Sequence, residues 1–207
     1  MNIEEFKKLP LMGIVRGVKE EAIGPLVEAV VSSGLKTIEI TMNTPKASSL
    51  IKKMIACANG RLFIGAGTVL TLDELHLALD SGATFIVSPI LVTDVVEYCA
   101  KNSVPVFPGA FTPQEIYNAY KSGATMVKVF PSRYFGPQYI GEIKGPFNNI
   151  DLMACGGVKA NNVKEFFSHG ASAVAFGASI LKNEWMEEKE FSRIERCIKE
   201  LIDGYYG

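Results

Sequence analysis

Ser32-Ser33-Gly34-Leu35-Lys36-Thr37-Ile38-Glu39-Ile40-Thr41, residues 32–41, joins the end of one structural element to the whole of the next. Before it, Val27, Val30 and Val31 recur at helical spacing after Pro25. Ser33-Gly34 then interrupts the pattern where a helix needs a left-handed cap, a conformation that a residue without Cβ reaches at no steric cost. A short β-branched run comes next, which predicts a strand. The same order of amphipathic stretch, Gly or Asn break and apolar run recurs along the chain. The runs are 11–16, 36–41, 62–66, 84–88, 104–108, 125–130, 151–155 and 173–177, eight in all. The breaks before them are Ser33-Gly34, Asn59-Gly60, Ser81-Gly82, Asn102-Ser103, Ser122-Gly123, Asn148-Asn149 and His169-Gly170. Leu72, Leu75 and Leu79 after Thr71 mark another helix, and Thr44-Pro45, Thr112-Pro113 and Gly136-Pro137 read as a cap with Pro at the first helical position.

Short runs apolar on both faces and alternating with helices predict parallel strands buried on both sides. Eight units in 207 residues leave about 26 residues each, enough for a strand, a helix and two short loops. The expectation is a closed α/β fold, a (β/α)₈ barrel with a short N-terminal helix, as one domain over residues 1–207. The rival is an open doubly wound sheet, but the turn after the first run reads Arg16-Gly17-Val18-Lys19-Glu20 and lacks the GxGxxG pattern. Lys plus Arg, 21, nearly balances Asp plus Glu, 22, which argues against nucleic acid or an anionic membrane as partner. No apolar run approaches a membrane span, and the charged start, Met1 to Lys8, does not read as a signal peptide. Cys57, Cys99, Cys155 and Cys197 lie far apart without CxxC spacing, as expected of reduced thiols in a cytoplasmic protein.

In such a barrel, chemistry sits where strands end. Lys128 lies in Met126-Val127-Lys128-Val129-Phe130, where alternation puts Met126, Lys128 and Phe130 on one face. Glu39 shares a face with Thr37 and Thr41. If the valines and isoleucines meet the outer helices, both charges point into the barrel, where an isolated charge is very costly. A desolvated lysine has a depressed pKa and offers an amine that can attack a ketone to form a Schiff base, with the carboxylate moving protons. A buried structural ion pair is the alternative.

Gly156-Gly157 before a helix expected near Ala160, and Gly177-Ala178-Ser179 after the eighth run, stand where this architecture commonly binds phosphate. The plainer account is that these glycines only permit tight turns. Arg16 is a candidate for a bidentate contact with a substrate carboxylate, or for a surface pair with Glu20 or Glu21. The Thr68 hydroxyl can meet the same carboxylate, or serve a helix cap near Thr71. Arg133 and Lys159 stand beside the proposed phosphate end with no role assigned beyond a solvated surface. Cys155 has no evident histidine partner. His76 and His169 fall on helices, and no Asp/Glu/His set has metal-ligand spacing, so no metal is expected.

These motifs carry a resemblance over almost the full length. Ile38-Glu39-Ile40-Thr41, Gly65-Ala66-Gly67-Thr68-Val69, Ile86-Val87-Ser88-Pro89, Pro108-Gly109 with Thr112-Pro113, Lys128-Val129-Phe130-Pro131, Gly145-Pro146-Phe147 and Gly156-Gly157-Val158 resemble the 2-keto-3-deoxy-6-phosphogluconate (KDPG) aldolases and their 6-phosphogalactonate (KDPGal) relatives. The resemblance implies a (β/α)₈ barrel, a homotrimer, and a class I lyase that uses a covalent imine and no metal or other cofactor. It implies that Lys128 forms the imine and that Glu39 is the general acid/base. Thr68 and Pro89 would line the pyruvyl end, with Arg16, Asn43 and Phe130 also on the substrate. Gly156, Gly157, Gly177 and Ser179 would hold the phosphate. The implied partner is a small phosphorylated 2-keto acid, cleaved to pyruvate and glyceraldehyde 3-phosphate in carbohydrate metabolism of the Entner-Doudoroff type. Such proteins often also cleave 4-hydroxy-2-oxoglutarate (KHG).

One departure is that phosphogluconate-type members carry an arginine where this chain has Asn43. Arg16 in Ile14-Val15-Arg16-Gly17, and the stretch Phe135-Gly136-Pro137-Gln138-Tyr139-Ile140, resemble the phosphogalactonate branch. Arg16 would then supply from the first strand the guanidinium that relatives supply from the second. Two other readings stand beside this one. A sugar-phosphate epimerase or thiamin-phosphate synthase type of barrel would share the glycine turns without needing the lysine, and a non-catalytic scaffold would need neither charge.

Overall fold

The computed structural model describes residues 1–207. In chain order the strands are β1 (Leu11–Val15), β2 (Thr37–Thr41), β3 (Phe63–Gly67), β4 (Ile86–Val87), β5 (Val106–Phe107), β6 (Gly109–Ala110), β7 (Val127–Val129), β8 (Leu152–Cys155) and β9 (Ala173–Phe176). The α-helices are α1 (Ile3–Lys8), α2 (Ile23–Ser32), α3 (Ala47–Ala58), α4 (Leu72–Asp80), α5 (Thr93–Lys101), α6 (Pro113–Lys121), α7 (Gly136–Lys144), α8 (Val163–Ser168), α9 (Asn183–Glu187) and α10 (Phe191–Tyr206). All the strand pairs are parallel.

The sheet runs β5-β4-β3-β2-β1-β9-β8-β7-β6, and its two ends are the two halves of one stretch of chain. Pro108 separates them. Proline has no N–H to give the ladder, so the fifth stave is written as two short strands. Its carbonyl still accepts from Lys128 N at 2.9 Å, and Val106 O accepts from Thr125 N at 3.0 Å. The result is a (β/α)₈ barrel of eight staves, as the eight runs predict, preceded by the short helix α1.

Side-chain alternation divides the interior in two. Ile38, Ile40, Val127 and Val129 belong to a cluster of 50 buried residues between strands and helices. Met12, Phe85, Val87, Phe107, Met126, Met153, Cys155, Ala173 and Ala175 fill the barrel itself. α1 closes its base. Asn2 caps that helix by accepting from Glu5 N at 3.2 Å, and Phe6, 1% exposed, meets the edge of Phe107 with ring centroids 6.0 Å apart.

Most of the breaks adopt the expected left-handed geometry: Gly34, Asn59, Gly60, Gly82, Ser103, Gly123 and Gly170 all have positive φ. Asn148-Asn149 does not. There the Lys144 ammonium instead donates to Asn148 O and Ile150 O, at 2.8 and 2.9 Å, and so satisfies carbonyls after α7. Thr112 forms a full capping box with Glu115 ahead of Pro113. Thr44-Pro45 does not start a helix. α3 begins at Ala47, and the Thr44 hydroxyl is used elsewhere, accepting from Gly17 N at 2.9 Å and lying 3.1 Å from the Thr41 hydroxyl. The helix expected near Ala160 begins at Val163, after a turn in which Asn162 Oδ1 accepts from Lys159 N.

Candidate active site

Lys128 is the central residue of β7, in register with Gly109 on one side and Met153 on the other. It is 6% exposed, and its Nζ lies 5.4 Å from the centroid of the Phe130 ring. Glu39, central in β2, pairs with Ile14 and Gly65 and is 1% exposed. Both charges face the barrel interior. They do not close an ion pair within 4.0 Å, and Glu39 Oε2 has no hydrogen-bond partner. Burial pushes the Glu39 carboxyl up from 4.5 to about 7, against the opposing pull of the Lys128 and Arg16 cations. A structural ion pair would have put the charges in contact; here the acid is buried and its Oε2 unpartnered.

Glycines around the pair make the room. A Cβ on Gly67 would fall 2.3 Å from Glu39 Oε1, and one on Gly65 would fall 2.4 Å from the Phe85 ring. A Cβ on Gly109 would come 2.0 Å from the Pro89 carbonyl oxygen, so the close approach of Pro89 to the stave beside Lys128 requires a glycine there. Thr68, directly after β3, has φ +56°, a left-handed conformation that costs a β-branched residue roughly 1–2 kcal/mol. Such strain persists where the surroundings over-determine it, commonly at functional sites.

A cavity of ≈ 730 Å³ opens at the strands' C-terminal ends. Gly156, Gly157, Gly177 and Ser179 all line it, together with Arg16, Phe130 and Cys155. Gly156 and Gly157 have φ of +99° and +80°, and a Cβ on Gly157 would lie 2.8 Å from Arg133 Cβ. These glycines therefore do more than turn the chain, because they let the loop after β7 lie directly on the loop after β8. Ser132 pins the contact, donating to Val129 O at 2.7 Å and accepting from Cys155 N at 3.1 Å. The Ser179 hydroxyl donates to Val158 O at 3.4 Å.

Thr68 and Pro89 are half-buried at the ends of β3 and β4 and outside this cavity lining. Asn43 is exposed in a tight turn that Thr44 N closes by donating to Thr41 O at 2.9 Å, and like Lys128, Glu39, Thr68 and Pro89 it is not part of this cavity lining. Arg16 is exposed at the end of β1 without an ion pair to Glu20 or Glu21; Glu20 pairs with Lys53 at 3.1 Å.

Cys155 gains no histidine partner in the fold but lies in the barrel interior with Lys128; burial raises its thiol pKa, against the opposing pull of the Lys128 charge. Alternation from Met153 along β8 could have signalled this, but only with the strand order known. Arg133 and Lys159 also line the cavity. His169 is spent on the end of α8, its Nδ1 2.9 Å from Glu165 O, and His76 packs edge-on against Tyr98 with ring centroids 5.0 Å apart. No helix is long and apolar enough to cross a membrane.

A buried lysine and an unpaired carboxyl beneath a cavity lined by glycine turns are the parts of a Schiff-base lyase. The family model described as KDPG and KHG aldolase matches residues 3–197. The chain belongs to that family. It is an aldolase, a carbon–carbon lyase. Among curated relatives, the 2-dehydro-3-deoxy-6-phosphogalactonate aldolase of Escherichia coli K12 is 31% identical over 176 residues, covering 84% of this chain and 86% of its own. Among solved structures, a native KDPGal structure superposes with a TM-score of 0.89 at 28% identity, covering 96% of this chain and 95% of the other. The KDPG aldolase of Legionella pneumophila, in a structure with pyruvate captured at low pH as a covalent carbinolamine intermediate, gives a TM-score of 0.85 at 25% identity, with 93% of each chain covered.

Proposed function

We propose that this aldolase cleaves 2-keto-3-deoxy-6-phosphogluconate or its galactonate epimer, to pyruvate and glyceraldehyde 3-phosphate, through an imine on Lys128. The observation that carries this reading is two charged side chains, Lys128 and Glu39, buried inside the barrel among Met12, Phe85, Met126 and Met153 without an ion pair between them. The Lys128 amine adds to the C2 ketone, and the carbinolamine loses water to give the iminium ion. The Glu39 carboxylate takes the proton of the C4 hydroxyl, and the C3–C4 bond breaks. Its electron pair moves into the enamine, and the aldehyde leaves. Glu39 returns the proton to C3, and water hydrolyses the imine to free pyruvate. The iminium nitrogen is the electron sink, so the cleavage needs no metal ion or other cofactor. A carboxyl titrating at about 7 has both its proton-giving and proton-taking forms populated near neutral pH, which suits one group used in both directions.

Thr68, Pro89 and Phe130 would flank the pyruvyl end and Arg16 its carboxylate, while Gly156, Gly157, Gly177 and Ser179 offer the phosphate end. KHG, which has the same pyruvyl part and no phosphate, would be a second substrate. A homotrimer and a cytoplasmic setting belong to the same reading; the family likeness supports the first and four free cysteines the second. An epimerase or thiamin-phosphate synthase type of barrel, or a scaffold, would have no use for the buried pair.

Incubation with pyruvate and borohydride tests the mechanism. The expected result is one reduced adduct, mapped by peptide mass to Lys128 and missing in Lys128→Ala. An unmodified wild-type protein, or an adduct that persists in the variant, refutes it.

A further inference from the structure

The cavity holds three cations and no acid. Arg16, Arg133 and Lys159 line it, and no Asp or Glu does. None of the three is matched to a carboxylate of the protein, so all three charges are free to meet an anion in the cavity. Arg16 is accounted for at the ketone end, because its charge is felt by Glu39. Arg133 and Lys159 are not among the charges that act on Glu39, and neither makes an ion pair within the protein.

Their placement is built, although their side chains are exposed. Arg133 sits in the 3₁₀ turn Ser132–Tyr134, which the buried Ser132 hydroxyl ties to both Val129 O and Cys155 N. Gly157 lets the Arg133 backbone approach to where a Cβ would clash, at 3.0 Å from Arg133 Cα. Lys159 comes from the other side of the same loop, held by Asn162, which accepts from Lys159 N at 2.8 Å and donates to Gly157 O at 3.0 Å. Two loops thus bring two unmatched cations to the rim of one glycine turn. Neutral N–H groups can orient a phosphate monoester, but its near-dianionic charge at neutral pH calls for cationic partners, and a guanidinium fork fits two of its oxygens at once.

Resting on the aldolase reading, we propose that Arg133, assisted by Lys159, is the specificity-determining residue that makes this chain prefer phosphorylated 2-keto acids, by pairing with the phosphate carried on the Gly156-Gly157 loop.

The test compares wild type with Arg133→Gln, Arg133→Lys and Lys159→Gln on phosphorylated KDPG or KDPGal and on KHG. In Arg133→Gln, kcat/KM for the phosphorylated substrate is expected to fall at least tenfold, mainly through KM. KHG turnover should change less than twofold, and pyruvate should still be trapped on Lys128. Arg133→Lys should recover part of the loss, and Lys159→Gln should show a smaller loss of the same kind. Equal losses on both substrates, or no loss on either, overturn the proposal. Calorimetric binding of glycerol 3-phosphate separates it from the aldolase reading, since binding needs no imine. Wild type should bind it at least tenfold more tightly than Arg133→Gln. Equal affinities overturn the role of Arg133 even where pyruvate is trapped. A wild-type protein that binds glycerol 3-phosphate through Arg133 but traps no pyruvate keeps the anion site and removes the aldolase assignment.

Discussion

Replacing Glu39 by Gln should abolish cleavage and yet stabilise the fold in alkaline solution. The carboxyl is fully buried, has an oxygen without a partner, and titrates at about 7 in the fold against 4.5 in its ordinary state. At about 1.36 kcal/mol per pH unit, the fold prefers the neutral acid by about 3 kcal/mol. The direction comes from proton counts. Between pH 4.5 and 7 the native state binds more protons at this site than the unfolded chain does, so stability falls as pH rises through that window. It is present in full below 4.5 and lost above 7. The glutamine side chain stays neutral throughout and lacks this slope. Urea denaturation of both proteins at pH 4.5 and 8, at one protein concentration, should therefore show the variant gaining about 3 kcal/mol on wild type between the two, while kcat drops at least ~100-fold. Parallel stability curves would refute the account, since Glu39 would then not titrate from a dry site.

Gly67→Ala keeps an unstrained backbone but places a Cβ 2.3 Å from Glu39 Oε1, so the carboxyl must move. An intact circular dichroism spectrum with kcat down by roughly 100-fold is expected, and a kcat close to wild type would show that the glycine does not set the carboxylate's position. Arg16→Met should raise KM for pyruvate-containing substrates, and an unchanged KM rejects Arg16 as the carboxylate ligand. Because the Arg16 cation lowers the Glu39 pKa, its loss should also carry the acidic limb of the kcat profile to higher pH.

Much of this protein is legible in its sequence alone. Alternation in 125–130 puts Lys128 on one face with Met126, and the left-handed caps at Gly34, Gly82, Gly123 and Gly170 punctuate the helices as expected. These are local matters, set by backbone sterics and by the periods of helix and strand, so one segment suffices to state them. The Gly65-Ala66-Gly67-Thr68 motif is visible too, but not its cause. Gly67 makes room for a carboxyl 28 positions earlier, Gly109 for the Pro89 carbonyl, and Gly157 for Arg133. Asn43 is exposed in a turn that Thr41 and Thr44 close, and Pro108 splits a stave that reads as one run. Only closure of the barrel buries Glu39, raises its pKa and holds it out of contact with Lys128. Dielectric and contact across the barrel depend on every stave being in place, and no single stretch of sequence contains them.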